Sequence, residues 1–216
     1  MEKISDIDFE RSITFNGEMI ACKVRFFLII IFTLASILLV IAKGINLFIA
    51  SLYVAILFYS ILTLYTYFSI KKKSLQMWMI YVNGLIEAFL LFFVRLIHGA
   101  FNSAPGALEE AMKGRSFFLI FIIFIILLPL RNNFRFSITI GTVILILEFS
   151  LQIIFAFKGI NFKLKTDFSY GEYGLSNIIN ANLYLICCVV LSGIITNLFT
   201  KYLRESKKNE ALVNDS

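Results

Sequence analysis

Long apolar runs alternate with short polar segments along most of this chain. One of them, residues 117–130, extends for fourteen positions without a charged side chain. Water could not solvate helices that are apolar on every face, whereas a bilayer core about 30 Å thick accommodates about twenty such residues per helix. The pattern therefore predicts six membrane-spanning helices, at residues 22–42, 46–68, 76–98, 116–130, 136–157 and 177–199.

The remaining segments define the predicted domain organisation. Residues 1–20 are polar and predict a short cytoplasmic lead, compatible with a helix lying on the membrane surface. Residues 21–199 form the six-helix membrane domain, and residues 200–216 form a charged, helix-compatible cytoplasmic tail with too little apolar surface to fold alone. The connection 158–175 is rich in glycine and aromatic residues and predicts an ordered external loop. The predicted fold class is an all-α, polytopic membrane helix bundle.

The distribution of basic residues predicts the orientation. With both termini on one side, thirteen of the 20 Lys and Arg residues fall on that side and seven on the other. Basic residues accumulate on the cytoplasmic side of membrane proteins, so we expect an inner-membrane protein with both termini in the cytoplasm. Arg95 and His98 are expected to act as anchors at the outer end of the third span. The residues predicted to mark the cytoplasmic interface are Arg25, Lys71, Lys72, Lys73, Arg131, Arg135, Lys201 and Arg204.

The composition narrows the function classes. Hydrophobic residues make up 59% of the chain and charged residues 16%, against about a quarter charged in a soluble domain. The net charge of +6 does not indicate nucleic-acid binding, because the basic residues separate apolar runs instead of forming a stripe. The three cysteines and the one histidine lack the spacing of a metal site, so neither a metal nor another cofactor is predicted.

Polar side chains inside two predicted spans are the candidate site. An ionisable group at the centre of a span costs about 2.5–3.5 kcal/mol on insertion scales. Asn83 and Glu87 are four positions apart in the third span, and Glu148 and Gln152 are four apart in the fifth. This spacing places each pair on one helix face, which we expect to face the bundle interior. Two interpretations stay open, namely polar contacts that hold helices together and a proton or ligand site. No catalytic residue is predicted.

Two stretches carry a resemblance to a known family. Residues 16–28, NGEMIACKVRFFL, place a basic polar lead directly before a span, and residues 127–149, LLPLRNNFRFSITIGTVILILEF, continue the likeness. Together they resemble the six-span membrane domain of bacterial, spirochaete-like class III adenylate cyclases and related membrane sensors. The matching positions are Leu130, Arg131, Arg135, Gly141, Glu148 and Phe149. The resemblance implies the membrane regulatory part without a catalytic domain, and it implies a homodimer.

These observations favour a membrane-embedded sensory or regulatory domain of a bacterial signalling protein. A signal in the bundle would pass through the sixth span to a cytoplasmic effector, because residues 197–205 continue helix-compatible sequence beyond the membrane. The alternative is a small transporter or a substrate-binding membrane component. A membrane-embedded enzyme is the third hypothesis, and it lacks a nucleophile or metal constellation in the sequence. The bilayer is the predicted environment in all three cases.

Overall fold

The computed structural model describes residues 6–100, 111, 122–158, 161–163 and 172–214. This part of the chain is a bundle of α-helices, which confirms the predicted fold class. Five of the helices are long and apolar enough to cross a membrane. They are α1 (Asp6–Lys43), α2 (Leu47–Lys71), α3 (Met77–Ala100), α5 (Phe134–Phe157) and α6 (Leu175–Asn214).

Two shorter features complete the described fold. The chain from Ile122 to Arg131 is an apolar helix, α4, whose last turn tightens to a 3-10 helix from Leu128 to Arg131. Between α5 and α6, within the predicted loop, strand β1 (Asn161–Lys163) pairs in parallel with strand β2 (Glu172–Gly174). The predicted connection 99–115 lies outside the described residues except at its start and at residue 111.

Asparagine side chains begin two of the spans. Asn46 accepts a hydrogen bond from the backbone N–H of Ile49 at the start of α2, at 2.9 Å. Asn133 does the same for Phe136 at the start of α5, at 3.0 Å. The first backbone N–H groups of a helix have no partner within the helix, so these amides satisfy groups that lipid could not. Both helices therefore have a defined first residue.

The first helix corrects the predicted lead. The boundary near residue 20 is wrong, because α1 continues without a break from Asp6 to Lys43. Thr14, Gly17 and Glu18 are buried in the bundle instead of lying on the membrane surface. Gly17 makes this possible, since an added Cβ would lie 2.1 Å from the backbone oxygen of Leu130. Glu18 finds arginine partners inside the bundle, so its carboxylate does not require water.

Contacts between helix ends distinguish the two ends of the bundle. At the end where α1 enters, the Thr200 hydroxyl of α6 donates to the carbonyl oxygen of Asn132, between α4 and α5, at 3.2 Å. We call this the proximal end. At the opposite, distal end, the Phe48 ring at the start of α2 lies 4.2 Å from the His98 ring near the end of α3. The start of α1 and the C-terminal part of α6 therefore lie at the same end of the bundle.

The predicted fourth span, 116–130, is described from residue 122 onward, where it forms α4. The Arg95 Nε donates to the carbonyl oxygen of Ala111 at 2.8 Å, which puts residue 111 towards the distal end. Arg131, by contrast, contacts Glu18 near the proximal end. Residue 111 and Arg131 therefore lie at different levels of the bundle, and residues 112–121 lie outside the described part of the chain.

The core lies between α3, α5 and α6, and the outer faces are apolar. Phe136, Ile140, Ile144 and Leu185 are among the buried residues of the main core cluster. Large apolar side chains are exposed along the outer faces of α1, α2 and α6. In a protein without a bilayer such surfaces would aggregate, so lipid is their natural solvent. The chain is a multi-pass membrane protein.

Candidate functional site

Four charged residues from three helices meet inside the proximal half of the bundle. Glu18 and Arg25 come from α1, Glu87 from α3 and Arg131 from the last turn of α4. Their exposed fractions are 0%, 2%, 5% and 3%. Glu87 is ten positions into α3, about 15 Å along the helix axis from its start. These residues, which we call the charge ring, therefore lie well inside a membrane span.

The ring is closed, because each charge contacts both charges of opposite sign. The Glu18 carboxylate lies 2.8 Å from Arg25 Nη1 and 2.5 Å from Arg131 Nε. The Glu87 carboxylate lies 2.5 Å from Arg25 Nη2 and accepts from Arg131 Nη2 at 3.2 Å through each oxygen. Two positive and two negative groups leave no net charge. A neutral, fully paired set is the form in which charges are tolerated in a low-dielectric interior.

Local sequence explains how the members come together. Glu18 and Arg25 are seven positions apart, so two helical turns place them on one face of α1. Arg131 ends the 3-10 turn, and the next residue, Asn132, takes a left-handed conformation (φ 51°) that stops the helix there. The close approach of Gly17 to Leu130 brings that turn against α1. Arginine suits these positions because its planar fork can bind two carboxylates at once.

Neighbouring side chains enclose the ring. The Arg131 guanidinium lies over the Phe136 ring at 4.5 Å from its centroid. Arg25 Nη1 donates weakly to the Cys22 sulfur at 3.5 Å. The buried Tyr59 of α2 lies with its phenol beside Arg25, so the second helix also borders the ring. The ring therefore connects α1, α3 and α4 and contacts α2 and α5.

A second set of buried polar residues lies nearer the distal end. Arg95 of α3 forms an ion pair with Glu148 of α5, and Gln152 of α5 donates to Glu148 at 3.2 Å. The Gln152 and Asn182 amides then exchange two hydrogen bonds, at 3.0 and 2.9 Å, which link α5 to α6. We call these four residues the distal network. Among the described residues, it consists of the Arg95–Glu148 ion pair, continued through two amides.

Helix α3 contributes to both sets. Glu87 of the ring and Arg95 of the distal network are eight positions apart, about 12 Å along the axis. The ring joins α3 to α1 and α4, and the distal network joins α3 to α5 and α6. A movement of α3 would therefore strain polar contacts to all four of these helices.

The four predicted intramembrane residues are all buried, but they do not form one site. Glu87 belongs to the ring, whereas Glu148 and Gln152 belong to the distal network and contact each other as their spacing predicts. Asn83 joins neither set, because its amide donates to the Thr66 hydroxyl of α2 at 2.8 Å. Both pairs therefore face the bundle interior as expected, and the α5 pair bonds within its helix while the α3 residues contact other helices.

Three arginines were placed wrongly at the membrane interface. Arg25 and Arg131 are buried in the ring, and Arg95 is buried in the distal network instead of reaching the headgroups. The physical reason is that each has a buried carboxylate partner, which stabilises a guanidinium in the interior. His98, also predicted as an anchor, is buried against Phe48. The other predicted interface residues remain accessible: Lys71, Lys72, Lys73, Arg135 and Lys201 are exposed, and Arg204 is half-buried.

Two members of these sets were missed from sequence. Glu18 lay within the supposed lead, although its seven-residue spacing to Arg25 was a usable signal of a shared helix face. Asn182 is an amide in an apolar span and could have been a candidate by the same reasoning that selected Asn83. Among the described residues, no three His, Cys, Asp or Glu side chains are grouped so that they could hold a metal ion.

Comparisons of the chain with protein-family models, with curated proteins and with solved structures find no match. The resemblance to the membrane domain of adenylate cyclases therefore stays a prediction.

Proposed function

We propose that this chain is a membrane-embedded regulatory domain that passes a signal through α6 to a cytoplasmic effector. The observation that carries the proposal is that α6 is one unbroken helix of 40 residues, from Leu175 to Asn214. It is bonded inside the bundle through Asn182 and extends past Thr200 at the proximal end. A rigid helix of this kind transmits a shift or rotation along its axis.

The polar contacts supply a continuous connection to that helix. The charge ring links α1 and α4 to α3, Arg95 links α3 to Glu148 of α5, and Gln152 links α5 to Asn182 of α6. Near the proximal end, the Ser137 and Thr196 hydroxyls lie 3.0 Å apart and join α5 to α6 a second time. A stimulus that moves any of these helices would therefore change the forces on α6.

The mechanism requires two helix arrangements with different ligand affinity. A stimulus shifts the equilibrium only as far as its differential affinity for the two arrangements allows, typically five- to 150-fold. Buried ion pairs suit such an equilibrium, because their geometry must be good in each arrangement and intermediate positions are costly. Helices held in this way exchange between discrete packings.

The proposal includes a location and partners. The Lys and Arg count favours the inner membrane with both termini in the cytoplasm, where α6 would meet its effector. The resemblance to adenylate cyclase membrane domains suggests the class of effector and a homodimer. Neither partner is needed for the contacts described above.

A fusion tests the proposal. A class III cyclase catalytic domain is joined in frame after Ser216, and its output is compared between the native bundle and the variants Glu148→Gln and Asn182→Ala. Both substitutions loosen the distal network that holds α6. We expect output to change about fivefold or more in each, because a bias of about 1 kcal/mol shifts a two-state ratio by that factor.

The matched control is Leu183→Ala, which alters an exposed α6 residue next to Asn182. It should leave the output unchanged. Output that is the same in all variants, although each is folded and inserted, would refute transmission through α6.

A second candidate is a small proton-coupled or solute transporter, because charged residues lie well inside a span. Two observations rank it lower. Each buried carboxylate among the described residues already has an arginine partner, and the five described spans are continuous helices, whereas transporter sites typically use broken ones. Liposomes that contain the chain and a pH-sensitive dye distinguish the two candidate functions. A proton-coupled transporter would produce a proton flux that Glu87→Gln abolishes.

A further inference from the structure

Three consecutive lysines lie at the proximal end, where α2 ends and the turn to α3 begins. Lys71, Lys72 and Lys73 are all exposed. Within the described part of the chain none of the three forms an ion pair, and Lys71 lies over the Tyr67 ring at 4.9 Å from its centroid. Among the described side chains, the turn therefore presents a compact positive charge without a carboxylate partner. We propose that it binds the headgroup of an anionic phospholipid.

The turn holds the lysines in a defined geometry. The Ser74 N–H bonds to the Ser69 carbonyl and the Lys73 N–H to the Ile70 carbonyl, both at 2.9 Å, which is the Schellman pattern of helix ends. Next to it, Leu75 is almost completely buried and attaches the turn to the core. Lysines held on a rigid turn lose less conformational freedom on binding than lysines on a mobile chain do.

One lysine occupies a position that favours glycine. Lys73 has a φ of 56°, in the left-handed region that the residue after a helix end usually fills with glycine. A side chain there is strained, so the fold alone does not account for a lysine at this place. Its ammonium extends the charge of Lys71 and Lys72 around the turn.

Neighbouring side chains place the lysines at headgroup depth. Phe68, one turn before Lys71, is 53% exposed on the lipid-facing side of α2, and Trp78 at the start of α3 is 57% exposed. The Trp78 indole N–H donates to Gln76, as expected for a ring with one apolar and one polar edge at the membrane interface. The ammonium groups therefore lie where lipid phosphates lie, so charge complementarity selects an anionic lipid as the partner.

Trp78 is the one tryptophan of the protein, so the tryptophan fluorescence comes from a residue beside the turn. The full chain is reconstituted with brominated phosphatidylglycerol or brominated phosphatidylcholine, and the quenching of Trp78 fluorescence measures which lipid lies beside the turn. Each lysine near an anionic surface contributes about a fivefold preference. We therefore expect brominated phosphatidylglycerol to bind at least fivefold more strongly at low salt, and the preference to fall steeply with added salt.

The decisive variant is Lys71→Gln/Lys72→Gln/Lys73→Gln, which should bring the two lipids to equal quenching. The matched control, Lys201→Gln/Lys207→Gln/Lys208→Gln, removes the same charge from α6 and should retain the preference. Equal quenching by both lipids in the native protein would overturn the proposal. So would an equal loss in the control, which would indicate a general charge effect, or displacement by inorganic phosphate at constant ionic strength, which would indicate a soluble anion site.

Discussion

The charge ring and the distal network pair buried charges in different ways. Both bury arginine beside glutamate within the membrane domain. The ring contains four full charges, and each contacts both charges of opposite sign. The distal network contains one ion pair, and the amides of Gln152 and Asn182 extend it to α6.

The difference concerns what remains when one group is removed. Loss of a ring member leaves three charges with a net charge of one, and the neutral contact described for the ring is the weak one from Arg25 to the Cys22 sulfur. Loss of the distal carboxylate leaves one arginine, which still donates to the Ala111 carbonyl and has the Gln152 amide near by. A closed set of charges should therefore tolerate substitution less well than a chain that continues through neutral amides.

The largest expected effect comes from opening the ring with Arg131→Leu. Removing one partner of a buried ion pair costs about 3–5 kcal/mol of stability, because the remaining charges stay buried. The free energy of unfolding, measured by titration with a denaturing detergent, should fall by that amount. Arg135→Leu removes the same charge from an exposed position and should change stability by less than about 0.5 kcal/mol. Similar losses in both variants would mean that the ring does not hold the helices together.

The corresponding change in the distal network is Glu148→Gln. The new amide keeps the shape and can accept from Arg95, but the charge-assisted contact is lost, at a cost of about 1.5–3 kcal/mol. Glu205→Gln, at an exposed position of α6, is the control and should be neutral. A loss as large as that of Arg131→Leu, in the same titration, would remove the contrast between the two sets.

Gly17→Ala tests how the ring is positioned. A Cβ at residue 17 would lie 2.1 Å from the Leu130 oxygen, so α1 and α4 must separate, and Arg131 would move away from Glu18. We expect a loss of about 1–3 kcal/mol, typical of overpacking. Gly193→Ala is the matched control and should cost less, since the nearest atom to its Cβ would be the flexible Cδ1 end of Ile138 at 2.5 Å, with Phe134 Cε2 at 3.4 Å. Equal thermal midpoints for the two variants would contradict a special role for Gly17.

The comparison also explains which features could be predicted from sequence. The spans follow from apolar runs that exceed what water can solvate, and the contact of Glu148 with Gln152 follows from local helix geometry. The contact of Glu18 with Arg131, by contrast, joins residues 113 positions apart, and no local pattern pairs them. An arginine near the end of a span fits snorkelling and ion pairing equally well until its neighbours are known, which is why Arg25, Arg95 and Arg131 were misplaced.

The smallest expected effect, that of Asn83→Ala, tests whether Asn83 belongs to the ring. Asn83 lies one turn before Glu87, yet its amide donates to Thr66 and not to the carboxylate. Asn83→Ala should therefore cost about 0.6 kcal/mol, the average for an interhelical hydrogen bond in a membrane protein. In double-mutant cycles it should couple to Thr66→Val by a similar amount and to Arg131→Leu by almost nothing, because only residues that share contacts couple. Strong coupling to Arg131 would instead extend the ring to Asn83, and the contrast between a closed set of charges and its neutral surroundings would have to be redrawn.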